Sequence, residues 1–244
     1  MSNNKLVIFL NNVKEPPTSD KIYTPVVLSD SKGNWLKTHA KGTHPVEKEI
    51  IWWSKSGAKI KDRLNWLKSV IVQKISDLGP IWIFVWLGTC DLTTYNKKYI
   101  SITTHNDDTI NYIAEYYQNI VNLVQHYDNC KITILETPVY SIYNWNKHRR
   151  HKTPEEFKNQ DSLLTEQVVK LNFKVKEIND NINSHSPKFS IDLQIRTTYK
   201  KGNHRTGTVK AQYNLYADGI HPNDLLTKTW LRKITGQIQL NCWN

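Results

Sequence analysis

Residues Ile81-Trp82-Ile83-Phe84-Val85-Trp86-Leu87 form an almost unbroken apolar run of β-prone side chains, stopped by Gly79-Pro80 before it and by Gly88 after it. A strand without polar alternation has no face to offer water, so it belongs inside a parallel sheet covered on both sides. Parallel neighbours require long crossovers. The flanking sequence supplies them: Ile60, Leu64, Leu67, Ile71, Ile75 and Leu78 recur every three or four residues before the run, and Ile110, Ile113, Tyr117, Ile120, Val121 and Val124 do so after it. Each set makes one buried helical stripe.

The same reading extends along the chain. Residues 6–10 read as an edge strand within an N-terminal extension (1–20), 24–28 as the first core strand, 49–54 as the second, 81–87 as the third, 131–135 as the fourth and 189–193 as the fifth. Helical patterns fall at 31–42, 60–78, 108–127 and 161–183, and a last amphipathic helix carries Leu226, Trp230 and Ile234. Strands alternating with helices of this length predict an α/β fold, a three-layer α/β/α sandwich on a mostly parallel five-stranded sheet of flavodoxin-like type. At 244 residues one domain over 1–244 is enough to bury such a core. Two polar excursions interrupt the pattern: 139–160, with Tyr140, Tyr143, Trp145 and a basic cluster at 147–152, and the basic stretch 196–214. Excursions of that length read as lid or binding loops, although their aromatic residues could equally pin the loop to the body.

Composition narrows the function classes. No apolar run approaches the ~18 residues of a membrane span, and the short run at 6–10 lacks a small-residue cleavage site, so an intracellular protein, cytoplasmic or nuclear, is expected. Cys90, Cys130 and Cys242 are odd in number and far apart, which indicates neither a disulfide framework nor a metal site. Thirty-three Lys and Arg against twenty-two Asp and Glu give a net charge of +11, which suits a polyanion such as nucleic acid. Arg149, Arg150, Lys200 and Lys201 are the candidate contacts, with solvated loops as the plain alternative.

Three polar corners follow predicted strands: Ser29-Asp30-Ser31, Ser56-Gly57 and Gly88-Thr89-Cys90-Asp91. In a parallel sheet these strand ends share one edge, where open α/β folds place their ligands. Asp218-Gly219-Ile220-His221-Pro222, just before the last helix, can return over that edge. A hydroxyl near an imidazole, itself near a carboxylate and with backbone amides at hand, is what acyl transfer needs. Each group also has a structural reading. Ser31 or its neighbour Asp30 can cap a helix, Asp218-Gly219 can be a turn and His221 a cap. Gly57 can serve only its turn, and Cys90 can be a small buried residue.

Over nearly the whole chain these blocks resemble those of the SGNH (GDSL-like) hydrolases. Ser29-Asp30-Ser31 is similar to the family's Gly-Asp-Ser, Gly57 to its oxyanion-hole glycine, Gly88-Thr89-Cys90-Asp91 to Gly-x-Asn-Asp, and Asp218 with His221 to Asp-x-x-His. The resemblance implies a cofactor-free serine esterase acting on a small ester, with a short acyl or acetyl group. Ser31 would be the nucleophile, His221 the base, Asp218 its partner, and Ser31, Gly57 and Cys90 the oxyanion-hole positions. Ser29 departs from the first glycine. Cys90 stands where the family has asparagine, and a thiol is a weak donor, so weak activity is expected. Similar domains with Gly-Thr-Cys-Asp occur in mobile-element proteins, which motivates the alternative of a silent module that binds nucleic acid or serves assembly. A carbohydrate esterase or O-acetyltransferase-like enzyme is a third possibility.

Overall fold

The computed structural model describes residues 3–201 and 204–243, with side chains described outside 195–210. Helix α1 (Asn3–Asn11) precedes strand β1 (Thr24–Ser29), helix α2 (Ser31–His39), strand β2 (Ile51–Ser54), helix α3 (Ile60–Leu78) and strand β3 (Ile81–Trp86). A single helical turn, α4 (Thr89–Leu92), leads into a hairpin of β4 (Thr93–Asn96) and β5 (Tyr99–Ile102). Helix α5 (Asp108–Gln125), strand β6 (Cys130–Ile134), helix α6 (Ile142–His148) and helix α7 (Lys158–Asn181) come next. The antiparallel pair β7 (Gln194–Lys201) and β8 (His204–Ala211) and helix α8 (Asp224–Cys242) complete the order.

Among the described residues the main sheet has four parallel strands, ordered β2-β1-β3-β6. Its central strands β1 and β3 are buried almost throughout, as the apolar run requires. Helix α8 packs on α1, α2 and β1, whereas α3 packs on α5 and α5 on α7 and β6. The chain leaves β1 for β2 on one side and returns to β3 on the other, so the order reverses at β1. The carboxyl end of β1 is therefore the topological switch point, where such sheets place a ligand crevice.

Two predicted strands are corrected. Residues 189–193 form a 3₁₀ turn rather than a fifth sheet strand, with Asp192 N–H donating to Phe189 O at 3.1 Å. The apparent alternation misleads because the buried Asp192 takes Lys233 Nζ at 2.7 Å, while Phe189 packs against both Trp86 and Trp230 at ring distances of 5.2 and 5.7 Å. Residues 6–10 are helical, not an edge strand. Leu6 is buried, Val7 and Ile8 are exposed, and α1 lies on α8, a pattern that period two cannot produce.

The two excursions also resolve. Residues 139–160 contain α6 and a 3₁₀ turn, with Tyr140 and Trp145 buried, so these aromatics pin the segment. The 196–214 stretch is largely the hairpin of β7 and β8. Among the described residues no helix is long and apolar enough to cross a membrane.

Candidate active site

The corner after β1 is set by close packing. An added Cβ at Gly33 would lie 1.8 Å from Ser29 Oγ and 2.4 Å from Ser54 Oγ, so only glycine lets α2 approach the two strands this closely. Asp30 caps α2, its carboxylate accepting the Lys32 N–H at 2.9 Å. The capping role thus falls to Asp30, and the Ser31 hydroxyl is left for another partner.

That partner is His221, whose Nε2 lies 3.1 Å from Ser31 Oγ. On the other side of the ring, Nδ1 lies 2.7 Å from Asp218 Oδ2. With Nδ1–H donating to the carboxylate, Nε2 accepts from the Ser31 hydroxyl. Burial pushes the Asp218 carboxyl up, but the hydrogen bond and charge of His221 and the N–H groups of His221 and Ile220 outweigh it, holding the group below the usual carboxylate range. Asp218 therefore closes a turn and orients the imidazole together. Asn223, not His221, caps α8.

The loop carrying these residues is fixed at several points. Gly219, at φ +99°, sits where a Cβ would meet Trp145 N at 2.5 Å and Ser141 O at 2.9 Å, which docks it against the start of α6. Trp35 stacks on His221 at 4.7 Å and donates its indole N–H to Pro222 O at 2.9 Å. Trp145 approaches the same imidazole at 6.0 Å and carries the Arg149 guanidinium over its ring at 4.4 Å. Sequence reasoning missed Trp35, although its place one helical turn after Ser31 was a usable signal.

Of the other predicted positions, Gly57 lies in the exposed turn after β2 with φ +71°. That turn is anchored by the buried Asp91, which accepts the Ile60 N–H at 3.1 Å. Burial pushes the Asp91 carboxyl up to about 7 against the Ile60 hydrogen bond and the Lys59 charge, with smaller upward contributions from Asp30 and Asp62. Cys90 is half-buried, and burial followed by the Asp30 carboxylate pushes its thiol up to about 12, so it stays protonated at neutral pH. Arg149 and Arg150 are exposed beside α6. Lys200 and Lys201 lie on β7, with side chains outside the described residues.

Sequence reasoning also missed Lys32. Its side chain is 1 % exposed and its ammonium is held by Asp30 Oδ2 at 2.5 Å and by Thr89 Oγ1, 5.3 Å from the centre of the Trp86 ring. This buried pair ties the corner after β1 to the turn after β3. Among the described residues no group of three or more His, Cys, Asp or Glu side chains is placed to hold a metal ion.

A family model for GDSL-like lipases and acylhydrolases matches residues 35–234. The chain belongs to this family. The matched stretch contains Gly57, Cys90, Asp218 and His221, and begins four residues after Ser31. The fold is similar to that of a GDSL-like lipase from Bacteroides thetaiotaomicron, at 13% identity and a TM-score of 0.58 over 98% of both chains. It is also similar to a lipase from a goat rumen metagenome, at 13% identity and a TM-score of 0.52 over 88% of this chain and 97% of that one. No curated protein sequence matches the chain. The carboxyl ends of β2 and β3 flank that of β1, whose corner carries Ser31.

Proposed function

We propose that this GDSL-like chain is a serine esterase acting on a small ester with a short acyl or acetyl group. Membership of an acylhydrolase family supports ester hydrolysis in general. The observation that carries the finer reading is the unbroken hydrogen-bond chain from Ser31 Oγ to His221 Nε2, at 3.1 Å, and from His221 Nδ1 to Asp218 Oδ2, at 2.7 Å. Ser31 Oγ adds to the ester carbonyl as its proton passes to His221 Nε2. The imidazolium, facing the ionised Asp218, then gives that proton to the departing alkoxide, leaving an acyl ester on Ser31. Water repeats the sequence in reverse and restores the hydroxyl.

The backbone N–H groups of Ser31 and Gly57 are the proposed oxyanion donors, with the neutral Cys90 thiol a poor third. Turnover of a short-chain nitrophenyl ester tests the reading. Hydrolysis by the wild type that is abolished in Ser31→Ala and in His221→Ala supports it, and residual wild-type rates in both variants overturn it.

The Cys90 substitution favours a second reading, a folded module without turnover that serves assembly or binds nucleic acid through Arg149, Arg150, Lys200 and Lys201. It requires nucleic-acid affinity that falls steeply with salt and is lost when these four side chains are neutralised. Salt-insensitive or absent binding eliminates it.

A further inference from the structure

A cavity of about 600 Å³ is lined by Lys14, Lys41, His44, Lys48, Lys228 and Arg232, none of which belongs to the Ser31, His221 and Asp218 chain. Among the described lining residues Glu47 is the one carboxylate, and it is committed elsewhere. Its oxygens accept the Gly42 N–H at 2.6 Å and the Thr43 N–H at 2.9 Å. Burial pushes that carboxyl up, yet these donors prevail and hold it below the usual range. Lys228 pairs with Asp224 at 2.8 Å, but among the described residues Lys14, Lys41, Lys48 and Arg232 make no ion pair.

Arg232 is the telling member. It is only 5 % exposed, and its guanidinium donates to the backbone carbonyls of Thr43 and Asn12 rather than to any carboxylate. Among the described residues its buried Nε–H has no acceptor. His44, also 5 % exposed, accepts the Val46 N–H on Nδ1 at 3.3 Å, which places its proton on Nε2. That buried Nε2–H likewise has no partner among the described residues. Burial, then Arg232 and Lys14, pulls the imidazole down to about 4 against Glu47, so it is a neutral donor at neutral pH.

Among the described residues both unpartnered buried atoms of these lining side chains are thus donors, and Lys14, Lys41, Lys48 and Arg232 beside them have no carboxylate partner. A buried guanidinium lacking an anion is costly, and arginine with lysines is the usual chemistry for gripping a phosphoryl group. We propose that the cavity binds a phosphoryl dianion, as inorganic phosphate or as the head of a small phosphate monoester. Its volume falls within the range of small-molecule sites.

Calorimetric titration with inorganic phosphate and, separately, glycerol 3-phosphate tests it. The expected result is one saturable site for at least one probe, weakened about tenfold or more by the exposed double substitution Lys41→Gln/Lys48→Gln and unchanged in Arg149→Gln/Arg150→Gln. Tighter binding of glycerol 3-phosphate would assign a monoester, and equal or weaker binding the free anion. No saturable binding of either probe, or binding that Lys41→Gln/Lys48→Gln leaves intact, overturns the proposal. Loss confined to Arg149→Gln/Arg150→Gln also overturns it, by placing the anion at α6 instead.

Discussion

The loop at 218–222 and the turn at 88–91 meet the same edge of the sheet, yet they spend their polar groups differently. In the loop, Asp218 and His221 are aligned toward Ser31, and Trp35, Gly219 and Asn223 hold them there. In the turn, Asp91 holds the start of α3, Thr89 takes the Lys32 ammonium, and Cys90 keeps its proton. In the proposed esterase the loop would carry proton transfer, whereas the turn's polar groups are spent on structure. If the proposed esterase reading holds, the difference teaches that the two halves of an acyl-transfer site are separable: proton relay rests on side chains, whereas oxyanion binding can fall back on backbone amides.

The largest expected effect breaks the loop's side of the contrast. Asp218→Asn keeps the shape but lets an amide favour the wrong imidazole tautomer, and steady-state kinetics should record a fall of about 10⁴ in kcat. A variant within tenfold of wild type would mean that Asp218 only closes its turn.

Next in size is the link between the regions. Asp30→Ala strands the Lys32 ammonium, 1 % exposed, in the core. Denaturant unfolding should show a loss of about 3–5 kcal/mol, and a loss below about 1 kcal/mol would mean that the ammonium finds water.

Cys90→Asn sharpens the turn's side. It restores an amide donor where the family has one, and ester turnover should rise by about 10²-fold. An unchanged rate would show that the two backbone amides already saturate the oxyanion.

A further test of the turn concerns Asp91. Its folded-state pKa, about 7, lies above an ordinary carboxylate's, so the folded chain binds the extra proton and stability falls as pH rises from about 4 to 7. Asp91→Asn keeps an acceptor for Ile60 N–H and removes the titration. The fall in stability between pH 5 and 8, measured by urea unfolding, should be shallower than in wild type, and an equal slope would place the titration elsewhere.

Much of this contrast was legible in the sequence because motif order and strand ends are local properties. The apolar run at 81–87 and the stripes of α3 and α5 fixed their own elements, and the corners together with the resemblance to the GDSL-like family singled out Ser31, Asp218 and His221 as candidates. What escaped depended on partners far along the chain. Asp192 needs Lys233 to be buried, and that pairing bends residues 189–193 out of a strand. Leu6 reads as part of a strand until α8 supplies a surface for one helical face. Lys32 carries no local signal for burial, since Thr89 and Trp86 enter from another strand's end.

The most direct test of the central claim is the site and rate of labelling by a fluorophosphonate probe, read by peptide mass spectrometry in wild type and in folded His221→Ala. An activated Ser31 predicts phosphonylation on Ser31 that is rapid in wild type and lost in the variant. No adduct in wild type, or an adduct formed equally fast without His221, would contradict it.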